Sequence, residues 1–445
     1  MDATFTTGAL DHLFAGLTRP FAIAVSGGAD SIALMHLIAA WRRDGAGAHL
    51  SPPLVFTVDH GLRSGSAIEA ELAGAQARGL GWQHETLHWR GAKPSSGLQE
   101  AARQARYELM LDRLALDPSP RDLVLAHIQE DQAETLLMRL ARGSGVDGLS
   151  AMRPREYRVV VALGHPVREI PIVLHRPLLD TPKSHLLAYL RAKGLPWCED
   201  PSNTDTRFER VRLRQAASAL TTLGLTPQSL SRSARRLRAE RAVLQARART
   251  SAAHCVDDHG GAYGELTLAT QQTWLAPDLV RLMTPLLDVF GGASPPPQLS
   301  QIETLADRLT AIPAQACGRL TLGGCLVEIS DHAGARRVCV FREYARHDLS
   351  RVCIEPGQGI FWDRRFYISV ASGAEGSVSV GPLGEGNSGD SHGKLPRHSL
   401  AGLPAVMSPI AQHCLFRSTG DTEVTCLWPL QHERRVRWAA IDYGA

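Results

Sequence analysis

The sequence predicts an α/β fold in three parts: a Rossmann-like domain built on a parallel sheet, then a helical domain, then a small β-rich C-terminal domain. Three observations predict it. Over the first 180 residues, short apolar runs alternate with amphipathic stretches. At 215–250, apolar residues recur at helical spacing among many arginines. From about 317 the texture changes to short alternating runs.

The elements follow in order. The runs at 21–25, 54–59 and 123–126 are continuous and apolar, as strands buried on both faces require, and 83–89 is a weaker fourth. Helices are expected at 31–43, 66–78, 98–116 and 131–142. This alternation gives a doubly wound sheet, and such sheets bind ligands at the carboxyl ends of their strands. A further helix is expected to open with Thr181 as N-cap and Pro182 in its first position, and to close at Gly194. In the basic stretch, Leu230, Ala234, Leu237 and Leu244 form one stripe, with Arg232, Arg235, Arg236 and Arg238 mostly off it. Residues 291–297, GGASPPP, break the chain; 319–329 and 361–370 read as strand runs; and 381–396 is a Gly-rich polar loop.

Composition bounds the class. Of 445 residues, 44% are apolar and 21% charged, which excludes a disordered chain, a collagen-like repeat and a coiled-coil rod. None of the eight cysteines forms a C-x-x-C pair, which fits reduced thiols rather than a disulfide framework or a zinc ribbon. No signal peptide and no run of 18 apolar residues is visible, so a cytoplasmic protein without a membrane partner is expected. The net charge is only +3, which taken alone argues against a nucleic-acid partner. By segment the picture changes. Residues 1–150 carry 13 basic and 17 acidic side chains, 151–250 carry 19 and 8, and 251–445 carry 16 and 20. The middle block suits a phosphate backbone. Codon bias can account for 44 arginines against 4 lysines, but not for where they cluster.

Four motifs carry chemistry. Ser26-Gly27-Gly28-Ala29-Asp30-Ser31 stands between an apolar strand and a helix. Its glycines let the backbone approach a ligand, and its amides face an anion with the helix N-terminus behind them. Ser26 and Ser31 add hydroxyl donors. Asp30 suits such a site when Mg2+ bridges it to phosphates. No G-x-x-x-x-G-K-[ST] occurs, which excludes a Walker loop. At the end of the second strand, His60 and Arg63 read equally well as site residues or as a polar strand exit. His127, Asp131 and Glu134 follow at spacings of four and three and project to one side if a helix starts near His127. The two carboxylates also suit a helix N-terminus; beside a phosphate loop, metal and base chemistry explains the set better. Arg142 and Gly143 close that helix, where Arg142 answers the dipole or reaches a phosphate. Last, Arg210, Arg212 and Arg214 crowd an irregular segment after a turn, as a solvated face or as substrate-phosphate contacts.

The phosphate loop resembles the PP-loop of ATP pyrophosphatases, which cleave ATP between its α and β phosphates. SGGADS, DHGLRSGS, GLQEAARQARY, HIQEDQAETLLMRLARGSGVDGLSAM, RPLL and GLPWCEDPSNTD, in this order over about 21–214, resemble the tRNA(Ile)-lysidine synthetase family. The C-terminal part, with TLGGC at 321–325, is compatible with it. The resemblance implies a catalytic domain at 1–214, a basic helical tRNA-binding domain at 215–310 and a β-rich tRNA-binding domain at 311–445. It implies a ligase that joins free L-lysine to C2 of the wobble cytidine in CAU-anticodon tRNA(Ile). ATP adenylates that cytidine first, and pyrophosphate and then AMP depart. A homodimer is compatible with it.

Residue by residue, the resemblance gives the ATP phosphates and Mg2+ to Ser26, Gly27, Gly28, Ala29, Asp30 and Ser31, with His60, Arg142 and Gly143 around the nucleotide. Asp30, Arg106, Asp131, Glu134 and Arg210 are the expected catalytic set. Arg212, Arg214, Arg232, Arg235, Arg236 and Arg238 are expected on the tRNA. Two departures stand out: Glu130 where the family usually has Asp, and Val211 where it usually has Asn. The alternatives are a PP-loop tRNA 2-thiolation enzyme, a glutamine-dependent ATP pyrophosphatase and a non-catalytic tRNA-binding protein. The α/β part has no cysteine before Cys198 and Asp2 follows Met1, which disfavours the first two; intact Asp30, Asp131 and Glu134 disfavour the third.

Overall fold

The computed structural model describes residues 5–426 except 63–64, 92, 95–96, 163–167, 200–208, 258, 260–261, 270–272, 292–296, 312–317, 344–350, 364–365, 375, 383–403 and 408–421. Arg63, most of the GGASPPP break and nearly all of the 381–396 loop therefore lie outside the described residues. The chain divides into two compact units, residues 1–162 with 168–241, and residues 163–167 with 242–445.

The first unit is built on a six-stranded sheet. Its elements run α1 (Thr7–Phe14), β1 (Phe21–Ala24), α2 (Ala29–Asp44), β2 (Leu54–Asp59), α3 (Ser66–Gly79), β3 (His84–His88), α4 (Leu98–Leu116) and β4 (Asp122–Val124). They continue as α5 (Gln129–Ala141), α6 (Val146–Leu149), β5 (Arg155–Ala162), β6 (Arg168–His175), α7 (Lys183–Lys193), α8 (Glu209–Gln215), α9 (Ala217–Thr222) and the first half of α10 (Pro227–Cys255), whose residues from 242 on belong to the second unit. The strand order is β3-β2-β1-β4-β6-β5, all parallel except the antiparallel edge strand β5.

The pleat of β1 explains its unbroken hydrophobicity. Phe21, Ile23 and Val25 face one core with Ile32, Leu34, Phe14 and Leu190. Ala22 faces the other, with Phe56, Met110, Leu114 and Ile172. Helices cover both faces, so no position along the strand has to be polar. Each large side chain buried this way contributes about 1.5–3 kcal/mol.

A buried ion cluster ties the sheet to the N-terminal segment. Asp122, 3% exposed, accepts from Arg19 Nε at 2.8 Å and lies 3.0 Å from His175 Nε2. Burial pushes its carboxyl upward, but His175 and Arg19 outweigh that and hold it below the usual range. Asp122→Ala should cost about 2–4 kcal/mol, because two partners lose their anion. A depressed carboxyl stabilises the fold above its unfolded value of about 4, and that contribution is lost as pH falls through the folded value. Urea midpoints of wild type and variant should therefore differ widely at pH 7 and converge toward pH 2.

In α10, Leu230 and Ala234 are buried on the stripe, against Ala133, Leu136 and Ala151. Arg232, Arg235 and Arg236 are exposed. The basic helix thus packs directly on α5, and Arg241 adds a 2.7 Å contact to Asp147.

The second unit carries β7 (Val256–Asp257), β8 (Gly264–Ala269), α11 (Ala276–Gly291), α12 (Leu299–Ala311), β9 (Gly318–Leu322), β10 (Cys325–His332) and β11 (Ala335–Arg342). The antiparallel sheet β7-β8-β11-β10-β9 lays Leu266, Val327 and Val340 against Leu282, Phe290 and Leu305 of the two helices. That single core spans the expected break at 310/311. Gly323 and Gly324 of TLGGC both hold positive φ, +60 and +78, and make the two-residue turn between β9 and β10. The other face packs Phe341 on Trp362, Phe366 and Ile368. Small sheets follow, from β12 (Val352–Ile354), β15 (Val378–Pro382) and β16 (Pro404–Met407), and from β13 (Gly359–Trp362), β14 (Phe366–Val370) and β17 (Thr422–Cys426).

Candidate active site

The phosphate loop leaves β1 at the carboxyl edge of the sheet and turns into α2. Gly27 holds φ +84, and a Cβ there would stand 3.1 Å from the carbonyl oxygen of Glu69. Ser31 shapes the turn from within: its hydroxyl donates to Gly28 O at 2.9 Å and accepts from Ser26 N at 3.1 Å. Ser31 is thus a brace, while Ser26 remains exposed. Gly28 is the N-cap of α2 and no side chain caps that helix, so its first amides face outward. The segment after α7 clamps the loop from the other side, with Cys198 N donating to Gly27 O at 2.9 Å.

Asp30 lies in the first turn of α2, and its Oδ1 is buried without a hydrogen-bond partner. Burial raises its carboxyl, Asp131 and Glu130 add to that, and Lys183 opposes it. Lys183 Nζ is 3.6 Å from the other oxygen. No motif includes this lysine; its place at the start of a capped helix is the signal the sequence carries.

α5 starts at Gln129, two residues later than the spacing of His127 required, so His127 precedes the helix rather than sharing its face. The first-turn carboxylates divide their work. Asp131 Oδ2 accepts from Ile128 N at 3.0 Å and caps its own helix. Glu130 caps another one: both its oxygens accept from Lys183 N, at 3.0 and 3.1 Å. This displaces the expected cap, since α7 begins at Lys183 with Pro182 as the cap residue and Thr181 outside it. The longer Glu130 side chain, a departure in the sequence, has a definite task here.

The arginines at 210–214 stand on a helix, α8, and not on an irregular segment. Arg210 and Arg214, four apart, project together. Arg210 Nη1 is 3.6 Å and Arg214 Nη2 4.0 Å from Asp131 Oδ1. Arg214 Nε also donates to Glu134 Oε1 at 2.6 Å. Burial raises the Glu134 carboxyl, against the pull of Arg214. Arg214, expected on the tRNA, lies on the carboxylate cluster. Val211, the second departure, is buried packing on the inner side of α8. Arg142, at the end of α5, binds Glu209 at 2.6 Å and so fastens α8 to α5, next to the turn at Gly143.

Two imidazoles complete the site. His60 Nε2 is 3.4 Å from Arg106 Nη2 of α4, and the His60 ring stands edge-on to Trp89. Burial and Arg106 push His60 down to about 4, so it is neutral at pH 7. Burial holds His127 well below its usual range, and Arg176, Arg103, Arg210 and Arg106 add to the effect. Its Nδ1 is buried without a hydrogen-bond partner. An arginine-rich wall with neutral imidazoles suits a phosphate ester, and the carboxylate cluster opposite suits a cation. Arg103 and Arg176 were not read from the sequence; RPLL marks Arg176, but its role needed the fold.

Residues 7–220 match a family described as a PP-loop domain. Curated relatives extend the likeness well beyond it. The chain is 38% identical over 352 residues to the tRNA(Ile)-lysidine synthase of Ruegeria pomeroyi, covering 79% of this chain and 76% of that one. It is 42% identical over 319 residues to the protein of that name in Methylobacterium nodulans (69% and 87% covered). The corresponding values for Bradyrhizobium diazoefficiens are 41% over 341 residues (73% and 89%). Phosphate loop, carboxylate cluster and a likeness of this length agree, and the chain belongs to the tRNA(Ile)-lysidine synthase family.

Proposed function

We propose that this chain ligates free L-lysine to C2 of the wobble cytidine of CAU-anticodon tRNA(Ile), at the expense of ATP. One observation carries the reading: a phosphate loop with an unpartnered carboxylate oxygen stands beside a second carboxylate cluster that two arginines flank. The first can hold ATP and the second can hold an amine.

The cytosine O2 attacks the α-phosphorus, and pyrophosphate leaves. The lysine ε-amine then attacks C2, and AMP leaves with its electron pair. Ser26, Gly27, Gly28 and Ala29 hold the phosphates through backbone and hydroxyl donors, on the shape that Ser31 braces. Arg106 and Arg210 meet the charge that develops on phosphorus. Asp131 and Glu134 receive the lysine ammonium and assist its deprotonation, since a protonated amine is no nucleophile. Mg2+ fits the buried, unpartnered Asp30 Oδ1 and would there neutralise phosphate charge.

Arg212, Arg232, Arg235, Arg236 and Arg238 track the tRNA backbone, with Arg214 assigned to the amine side. No helix among the described residues is long and apolar enough to cross a membrane. The cytoplasm, where tRNA and free lysine meet, is the compartment this reading implies. The enzymatic alternatives make different products, and a non-catalytic tRNA-binding protein makes none. With ATP, lysine and the tRNA(Ile) transcript, the expected result is AMP release that requires lysine and an added mass of one lysine less one water on the tRNA, since the cytosine oxygen departs with AMP. AMP release that ignores lysine, or none, overturns the assignment.

A further inference from the structure

Lys183 belongs to none of the motifs, yet three parts of the site converge on it. Its N–H is held by both oxygens of Glu130, in the first turn of α5. Its ammonium lies 3.6 Å from Asp30 Oδ2, in the first turn of α2. Its own helix, α7, packs on α2, where Leu186 and Leu190 are wholly buried in the core that holds Ile32 and Met35. The backbone of Lys183 is therefore fixed, while its side chain is 45% exposed and can move. An ordinary surface ion pair has no such anchoring.

We propose that Lys183 binds the β- and γ-phosphates of ATP and neutralises pyrophosphate as it departs. This inference rests on the ligase reading above. In the adenylation step the cytosine oxygen forms its bond to the α-phosphorus and the bond from that phosphorus to the bridging oxygen breaks. The electron pair stays on the pyrophosphate oxygen, and the Lys183 ammonium meets that charge. Asp30 holds the ammonium beside the loop, at 3.6 Å. With a cation held at Asp30, the ammonium would be free to pair with the phosphates instead. Lysine suits this role better than arginine, because a point charge on a flexible stem can serve two anions in turn.

The test compares wild type, Lys183→Met and Lys183→Arg. Methionine keeps most of the stem, so the packing of α7 survives, and equal melting temperatures check this. Binding of ATP and of inorganic pyrophosphate is measured by calorimetry, and pyrophosphate inhibition of adenylation by its constant. Lys183→Met should weaken both ligands at least about tenfold, the loss of one charge-assisted contact. AMP, which lacks the outer phosphates, should bind equally well to all three proteins. Lys183→Arg should restore most of the pyrophosphate affinity. Unchanged pyrophosphate binding in Lys183→Met overturns the proposal, as does an equal loss of AMP binding. A wild type that binds ATP but incorporates no lysine overturns the ligase reading instead, and the calorimetry still decides the role of Lys183.

Discussion

Asp131→Asn should abolish lysine incorporation while leaving the first half-reaction in place. The amide still accepts from Ile128 N, so the cap of α5 is kept and only the charge is lost. Arg210 and Arg214 stand 3.6 and 4.0 Å from the other oxygen, too far for a tight pair. Without the carboxylate the lysine ammonium loses its counter-charge and its base. General-base losses run to about 10²–10⁴-fold, and lysine-dependent AMP release should fall by that much. Pyrophosphate release in the absence of lysine should persist, and tRNA affinity should be unchanged. Single-turnover assays with labelled ATP and labelled lysine separate the two steps. Lysine incorporation at the wild-type rate would remove Asp131 from the reaction.

Gly27→Ala and Gly28→Ala should both cripple ATP use, for different reasons. At Gly27 an L residue meets a positive φ and the Glu69 carbonyl oxygen at 3.1 Å. That strain is about 1–3 kcal/mol, and a loop displaced by about 1 Å can cost 10²-fold in rate. At Gly28 the backbone is extended, and a Cβ would meet only Ser26 Oγ at 3.7 Å. The fold has space there, so Gly28→Ala should melt like wild type. The methyl group then occupies the room a phosphate needs, and the ATP KM should rise by about 10- to 100-fold. Thermal melts and ATP titrations of the two variants decide this. A stable, fully active Gly28→Ala would show that no phosphate lies against that residue.

The parts legible in the sequence were those where local pattern and function coincide. Continuous apolar runs marked β1, β2 and β4, because strands covered on both faces have no polar side. SGGADS stood out because a tight turn and a bare helix end both select small residues. What stayed hidden depends on distant chain. β6 was not seen, since Pro171 interrupts its run; it lies beyond the three residues that β4 pairs, 173–175, so the ladder to β4 tolerates it. The partnerships of Glu130 with Lys183 and of Arg214 with Glu134 span 53 and 80 residues, and no spacing rule reaches that far. The divide at 310/311 followed a change of texture, whereas β8, α11 and α12 share one core with β9–β11.

The clamp on the phosphate loop has a consequence for how the protein is made. The loop is translated well before its clamp: Cys198, whose N–H holds Gly27 O, follows about 170 residues later. At typical synthesis rates that is a delay of about 10–30 s. For more than half of this interval β1 also lacks β4 as its second neighbour, and for most of it β6 has yet to be made. The nucleotide site is therefore among the last features of the first unit to mature, although its defining residues precede most of that unit in the sequence. A nascent chain stalled before residue 198 would display SGGADS without its outer clamp, held only by the internal brace of Ser31.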